Sequence, residues 1–221
     1  MKFNYDSIQL YIFNWNKVNK NSVNLYIKSK QYVKNVKLVN SDENFFLHTR
    51  INHIQLDNNY YYGGQFNESI KDVDKNKILG IIVGDTIHEI NFEKLFQNLI
   101  YTFNNYKTGI YTINDKRSFH KKKLCEILCE EKSLFTIKNP DCGIWFIHPK
   151  IHQNIKNINY QKLSPYGWGI DIITVKECDK MNLLVIKDLS IDSDQIDHTT
   201  NYSSELAMIG KKKLIEYYNN L

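Results

Sequence analysis

Arginine and alanine are almost missing from this chain: Arg50 and Arg117 are the two arginines among 221 residues, and Ala207 is the one alanine. A nucleic-acid face normally gathers its basic residues and uses arginine forks on phosphates, so a net charge of +5 made of scattered lysines says little about such a partner. Cysteine is sparse as well. Cys125, Cys129, Cys142 and Cys178 form no CxxC pair and no dense framework, which argues for a reducing compartment. Cys125 and Cys129 are spaced to share one helical face, where two buried thiols are the simple expectation and a metal pair lacks neighbouring ligands. The longest uninterrupted apolar run, residues 78–84, is far short of the roughly 20 residues that span a bilayer. The polar opening at 1–6 does not resemble a signal peptide, so the expectation is a cytoplasmic protein. There is no GxGxxG or GxxxxGK[ST] phosphate loop, no GxSxG elbow and no HExxH helix. With three prolines and no linker-like or repeated stretch, the expected organisation is a single domain.

What the chain does hold is the pattern of an α/β fold. Hydrophobic residues make up 42% and charged ones 24%, values of an ordinary globular core and surface. Short apolar runs alternate with helical periodicity, which predicts a mostly parallel central sheet flanked by helices. Strands are expected at 8–13, 35–39, 51–56 and 78–83, with a helix over 18–33 and another after Gly63-Gly64. The clearest helix follows: Phe92, Leu95, Phe96, Leu99, Ile100 and Phe103 recur at helical spacing, with Asn91 placed to cap them. The second half is less regular. Strands are expected at 109–113, 134–137, 143–148 and 183–187, and a terminal helix over 204–218.

In parallel sheets ligands bind beyond the carboxyl ends of the strands, so the residues after each run matter most. They are polar: Asn14-Trp15-Asn16, then Asn40-Ser41-Asp42-Glu43, then Asp57-Asn58-Asn59, then Gly84-Asp85-Thr86. Each group alone suits a turn or cap. Together they place carboxylates, amides and an aromatic face at one crevice.

The segments YIFNWNK at 11–17, VNSD at 39–42, GQFN at 64–67, VGDT at 83–86, DCGIWFI at 141–147, GWGID at 167–171 and HTTNY at 198–202 resemble, in that order, the family 2-like glycosyltransferases of the GT-A fold. The resemblance implies an enzyme that moves a sugar from a nucleoside-diphosphate donor to a hydroxyl acceptor with inversion. That acceptor would be a glycan, a lipid-linked sugar or a protein glycan. It also implies a nucleotide-binding half at about 1–105 and an acceptor-binding half at about 106–221. Asn14, Trp15, Asp42, Asn67, Gly84 and Asp85 would line the donor site, with Asp42 accepting a hydrogen bond from the base. Asp85 sits where the family has its acidic metal motif and, with His198, would hold Mn²⁺ or Mg²⁺; Gly84 and Thr86 stand where further acidic residues are usual. Asp171 matches the general base, while Asp141, Trp168 and Gly169 would meet the substrate sugars.

Two other readings stay open. A sugar-phosphate nucleotidyltransferase would share the sheet, although its glycine- and arginine-rich loop is missing here. A non-catalytic sugar- or nucleic-acid-binding module on a degenerate scaffold would account for the reduced acidic motif. The lysine runs 121–123 and 211–213 are expected to be solvated faces and are compatible with peripheral contact with an anionic membrane surface.

Overall fold

The structure is a computed structural model that describes residues 2–87, 89–116, 124–196 and 202–221. The first run, β1 (Ile8–Asn14), is buried along its whole length and pairs in parallel on both sides, with β2 (Asn35–Asn40) and with β4 (Ile78–Val83). Such double burial requires apolar residues facing both ways, which is why β1 and β4 read as continuous runs rather than alternating ones. A short β3 (His53–Gln55) adds in parallel to β2. The register sets Asn14 beside Asn40 and Phe13 beside Val83, so the carboxyl ends of these strands finish level on one edge.

The sheet has nine strands among the described residues, in the order β3-β2-β1-β4-β8-β5-β9-β7-β6. Its remaining members are β5 (Thr108–Asp115), β6 (Leu124–Cys129), β7 (Leu134–Ile137), β8 (Ile144–Ile147) and β9 (Leu184–Ser193). The parallel expectation holds for β3-β2-β1-β4 and for β5 beside β9. Elsewhere the sheet is mixed: β8 runs antiparallel to both β4 and β5, and β7 antiparallel to β9 and β6.

Two apolar layers cover the sheet. Leu10, Ile12 and Ile82 face α1 (Asn19–Lys30) and α3 (Phe92–Asn105), whereas Tyr11, Phe13 and Ile81 face the opposite layer. That layer is built by α2 (Tyr62–Asp72), α4 (Pro149–Ile155), α5 (Tyr160–Leu163), α6 (Ile170–Lys180) and α7 (Ser204–Asn219). Alternation along each strand splits its side chains between the two layers. Asn91 caps α3 as its position suggests, accepting from the Lys94 amide at 3.0 Å.

One expectation about local structure is corrected. Cys125 and Cys129 lie on β6, not on a helix; Cys125 is exposed and Cys129 half-buried. Their i,i+4 spacing fits a helix, but antiparallel pairing with β7 across the turn at 130–133 decides the conformation. The lysine run 121–123 lies outside the described residues, and Lys212 and Lys213 are exposed on α7.

Three carboxylates, buried Asp188 and Glu177 and the more exposed Asp72, brace the fold. Asp188 accepts from Tyr111 Oη at 2.7 Å and Asn98 Nδ2 at 2.8 Å, and Asp72 accepts from Tyr11 Oη at 2.6 Å and Lys37 Nζ at 2.7 Å. Glu177 on α6 accepts from Tyr218 Oη, from Asn154 Nδ2 at 2.8 Å and from Lys180 Nζ at 2.9 Å. Burial pushes the Glu177 carboxyl up, but these three donors outweigh it and hold the group below its ordinary value of 4.5. A depressed folded-state value adds stability that is fully present above the unfolded value and is lost as pH falls through the folded one. Glu177→Gln should therefore lower the urea midpoint at neutral pH and flatten its decline below about pH 4.5, read from unfolding curves recorded across that range.

Candidate active site

Where β1, β2 and β4 end, the chain leaves a cleft of about 1060 Å³. The loop after β1 contributes Trp15, Asn16 and Lys17; the loop after β2 contributes Ser41, Asp42 and Asn44; the end of β4 contributes Val83 and Asp85. The opposite wall is built by Asp141, Cys142 and Gly143 entering β8 and by residues 166–169 with Asp171 at the start of α6. Because β8 is antiparallel to β4, its beginning lies where β4 finishes: Val83 N donates to Gly143 O at 2.9 Å.

Of the residues singled out from the sequence, Trp15, Asp42, Asp85, Asp141, Trp168, Gly169 and Asp171 line this cleft. Asp42 is 5% exposed; its Oδ2 accepts from Asn19 Nδ2 at 2.6 Å and its Oδ1 from the Asn44 amide at 3.0 Å. Each carboxylate oxygen has a second lone pair for a ligand donor. Asp85 is also buried, and its carbonyl accepts from Ile196 N at 2.7 Å, so the segment after β9 pins the end of β4. His198 lies outside the described residues.

Three assignments move out of the cleft. Asn14 is fully buried behind it, with Nδ2 bonded to Asn19 Oδ1 and Asn40 Oδ1 at 2.6 Å each, and it ties the ends of β1 and β2 together. Asn67 caps α5 from α2, its Oδ1 accepting from Tyr160 N at 3.0 Å. Gly84 lines no part of the cleft; a Cβ there would stand 2.4 Å from Phe13 O and 2.2 Å from Ser22 Oγ, so close strand packing explains the glycine.

The GWG segment is shaped by its glycines. Gly167 and Gly169 have φ of +83° and +93°, conformations that L residues rarely adopt, and a Cβ on Gly167 would lie 2.3 Å from the Tyr62 ring. Gly169 caps α6, which presents Asp171 in its first turn. Tyr62 Oη donates to Cys142 O at 2.9 Å and accepts from Trp145 Nε1 at 3.0 Å. Burial pushes the Tyr62 hydroxyl and the Cys142 thiol well up, and the nearby Asp171 carboxylate adds to both. Both shifts favour the protonated form of each group.

Sequence reading missed several cleft residues. Gln65, 2% exposed, directs Nε2 to Ser41 Oγ at 2.8 Å, and its Oε1 has no hydrogen-bond partner among the described residues; the same holds for Asp141 Oδ2. Both atoms are buried acceptors awaiting donors. Tyr60, Tyr61, Tyr62, Tyr166 and Tyr202 also line the cleft, yet in a chain with 15 tyrosines no one of them stood out.

For a divalent cation, the described residues hold no cluster of three or more His, Cys, Asp or Glu side chains. Asp85, which lines the cleft, is placed where it could offer one hard oxygen ligand. Mg²⁺ accepts such a site when phosphates and waters complete its octahedron, so the residue present fits a metal brought together with a diphosphate.

Comparison with solved structures places this architecture. The inositol-1-phosphate CTP transferase from T. maritima aligns with a TM-score of 0.51 at 14% identity over 93% of this chain and 96% of its own. GalNAc-T7, crystallised with UDP, GalNAc and Mn²⁺, aligns with a TM-score of 0.59 at 6% identity over 96% of this chain, which spans 50% of its length. A mycobacterial protein aligns with a TM-score of 0.58 at 8% identity, over 97% of this chain and 75% of its own. These similarities show the fold alone, a mixed α/β domain of GT-A-like architecture. No protein-family model matches the chain, and no curated protein matches it. No described helix is long and apolar enough to cross a membrane.

Two measurements check this geometry. Gly167→Ala should cost about 1–3 kcal/mol of unfolding free energy by denaturant titration, from forcing a side chain into a left-handed backbone against Tyr62. Iodoacetamide followed by mass spectrometry should label exposed Cys125 readily in native protein while sparing Cys142 and Cys178; burial also pushes the Cys178 thiol up to about 12.

Proposed function

We propose that the chain is a glycosyltransferase that moves a sugar from a nucleoside-diphosphate donor to a hydroxyl acceptor with inversion. The observation that carries the reading is the gathering of Asp42, Asp85, Asp141 and Asp171 with Trp15 and Trp168 around one cleft at the carboxyl ends of β1, β2 and β4. The donor's nucleotide would occupy the side formed by Trp15, Asp42 and Asn44, within the half at 1–105, and the acceptor the side formed largely by 106–221.

In the reaction, the acceptor oxygen forms a bond to the anomeric carbon while the bond from that carbon to the β-phosphate oxygen breaks. The electron pair leaves with the nucleoside diphosphate. Asp171 takes the acceptor's proton, from the face opposite the leaving group. Buried Asp141 Oδ2 and Gln65 Oε1 would accept from hydroxyls of the substrates, which removes the cost of leaving them unpaired. Asp85 would hold Mn²⁺ or Mg²⁺, which when bound supplies neutralisation of the diphosphate charge. Much of the acceleration comes from holding donor and acceptor in line.

A second reading, a sugar-phosphate nucleotidyltransferase, is favoured by the near full-length alignment with the CTP transferase. Against it, the turn after β1 is Trp15-Asn16-Lys17-Val18, with no glycine to bring backbone amides around a triphosphate.

A thermal-shift panel of nucleoside diphosphates and nucleotide sugars, with and without Mn²⁺, should show stabilisation by one donor that grows with metal. Asp85→Asn should remove the metal-dependent part. Asp171→Asn should keep donor binding and lower turnover by about 10²–10⁴-fold. Pyrophosphate release from a nucleoside triphosphate and a sugar phosphate would instead establish the second reading.

A further inference from the structure

Five aromatic residues, four of them tyrosines that the catalytic scheme leaves without a part, line the cleft that Asp171 also faces. Tyr166 lies between Tyr61 and Tyr202, with ring centroids 4.8 Å away on each side; the Tyr166–Tyr202 pair is stacked with 17° between ring planes. Trp168 Nε1 donates to Tyr202 Oη at 3.1 Å, and Tyr61 stands at the start of α2. The loop bearing Tyr166 and Trp168 is fixed from two sides. Gly63 N on α2 donates to Pro165 O at 2.7 Å, and Ser164 Oγ donates to Trp168 O at 2.9 Å. Tyr60 completes the group, half-buried on the cleft wall.

The middle ring is half-buried while the outer two remain open: Tyr61 is 42% exposed and Tyr202 38%. Two large rings held rigidly in water are an unfavourable use of apolar surface unless something covers them. They belong to the Asp171 side of the cleft, since Tyr166 and Trp168 sit five and three positions before that residue in the loop that leads into α6. Nearby, buried Asp141 Oδ2 lacks a donor among the described residues. The ligand such a wall takes has an apolar face to lie on an aromatic ring and hydroxyl groups at its edge to donate to a carboxylate. A pyranose ring has both, its C–H groups facing the negative ring face.

We propose that Tyr61 and Tyr202, held by Tyr166 and Trp168, form the docking wall for a saccharide acceptor, which makes the acceptor a glycan rather than a simple alcohol or an amino-acid hydroxyl. The proposal rests on the transferase reading for the word acceptor, but the saccharide site itself does not. In this arrangement Trp168 positions Tyr202 through its indole N–H, and sequence-remote Tyr61 and Tyr202 determine specificity.

The test is a tryptophan-fluorescence titration of the full chain with maltotriose, cellotriose, chitotriose and β-1,4-galactotriose, alongside the nucleoside-diphosphate thermal shift of the unmodified protein. Quenching by at least one trisaccharide is expected, weakened about three- to tenfold in Tyr61→Ala and in Tyr202→Ala and retained in Tyr61→Phe, which keeps the ring face. Absence of saccharide binding, or equal affinity in the alanine variants, overturns the wall. A nucleotide shift without saccharide binding overturns the wall while leaving the transferase reading. Saccharide binding without any nucleotide shift supports the wall and removes the transferase reading.

Discussion

Parallel pairing of β1 with a neighbour on each side is the constraint on which the site depends. Because β2 and β4 run the same way as β1, and in a register that sets Asn14 beside Asn40 and Phe13 beside Val83, three chain segments leave the sheet at one level. The loops must then turn within a small region, and short polar residues serve that purpose as turn and cap formers. Trp15, Asp42 and Asp85 share a cleft for this backbone reason before any chemistry is considered.

The acidic residues divide by what surrounds them. Asp72, Glu177 and Asp188 are each met by several donors within the fold; Asp72 and Asp188 link a helix to strands, and Glu177 links α6 to α4 and α7. Asp141 has a buried oxygen left over, and Asp171 faces the cleft from a helix start whose glycine has no side chain to cap it. Carboxylates whose oxygens are all met by the fold's own donors hold elements together, and those at the cleft keep acceptor capacity for a ligand. Sequence alone does not separate the two kinds, since the difference lies in partners supplied by distant elements.

Much of the fold was legible because its strongest signals are local. The continuous apolar run of β4 and the helical periodicity of α3 are set by burial on two faces and on one stripe, and both appear where the pattern predicts them. The strand β6 was not legible: its cysteine spacing suits a helix, and only pairing with β7 makes it extended. Among site residues, Trp15, Asp42 and Asp85, which follow strand ends, reached the cleft. Asn14, still inside β1, and Asn67, inside α2, became braces, and Gly84 was fixed by the carbonyl of Phe13. The tyrosine wall drew on positions near 61, 166 and 202, joined by tertiary packing that no sequence window contains.

The reversed strand β8 has one more effect. It comes from the second half of the chain yet lies between β4 of the first half and β5, so β4 has β1 on one side and β8 on the other. During synthesis, β4 emerges with a bare hydrophobic edge that stays unpaired until some sixty further residues have been made. An unpaired edge of that kind templates association with other chains. The central sheet, and with it the cleft wall that Gly143 helps to build, is therefore completed only when residues from the second half of the chain are in place.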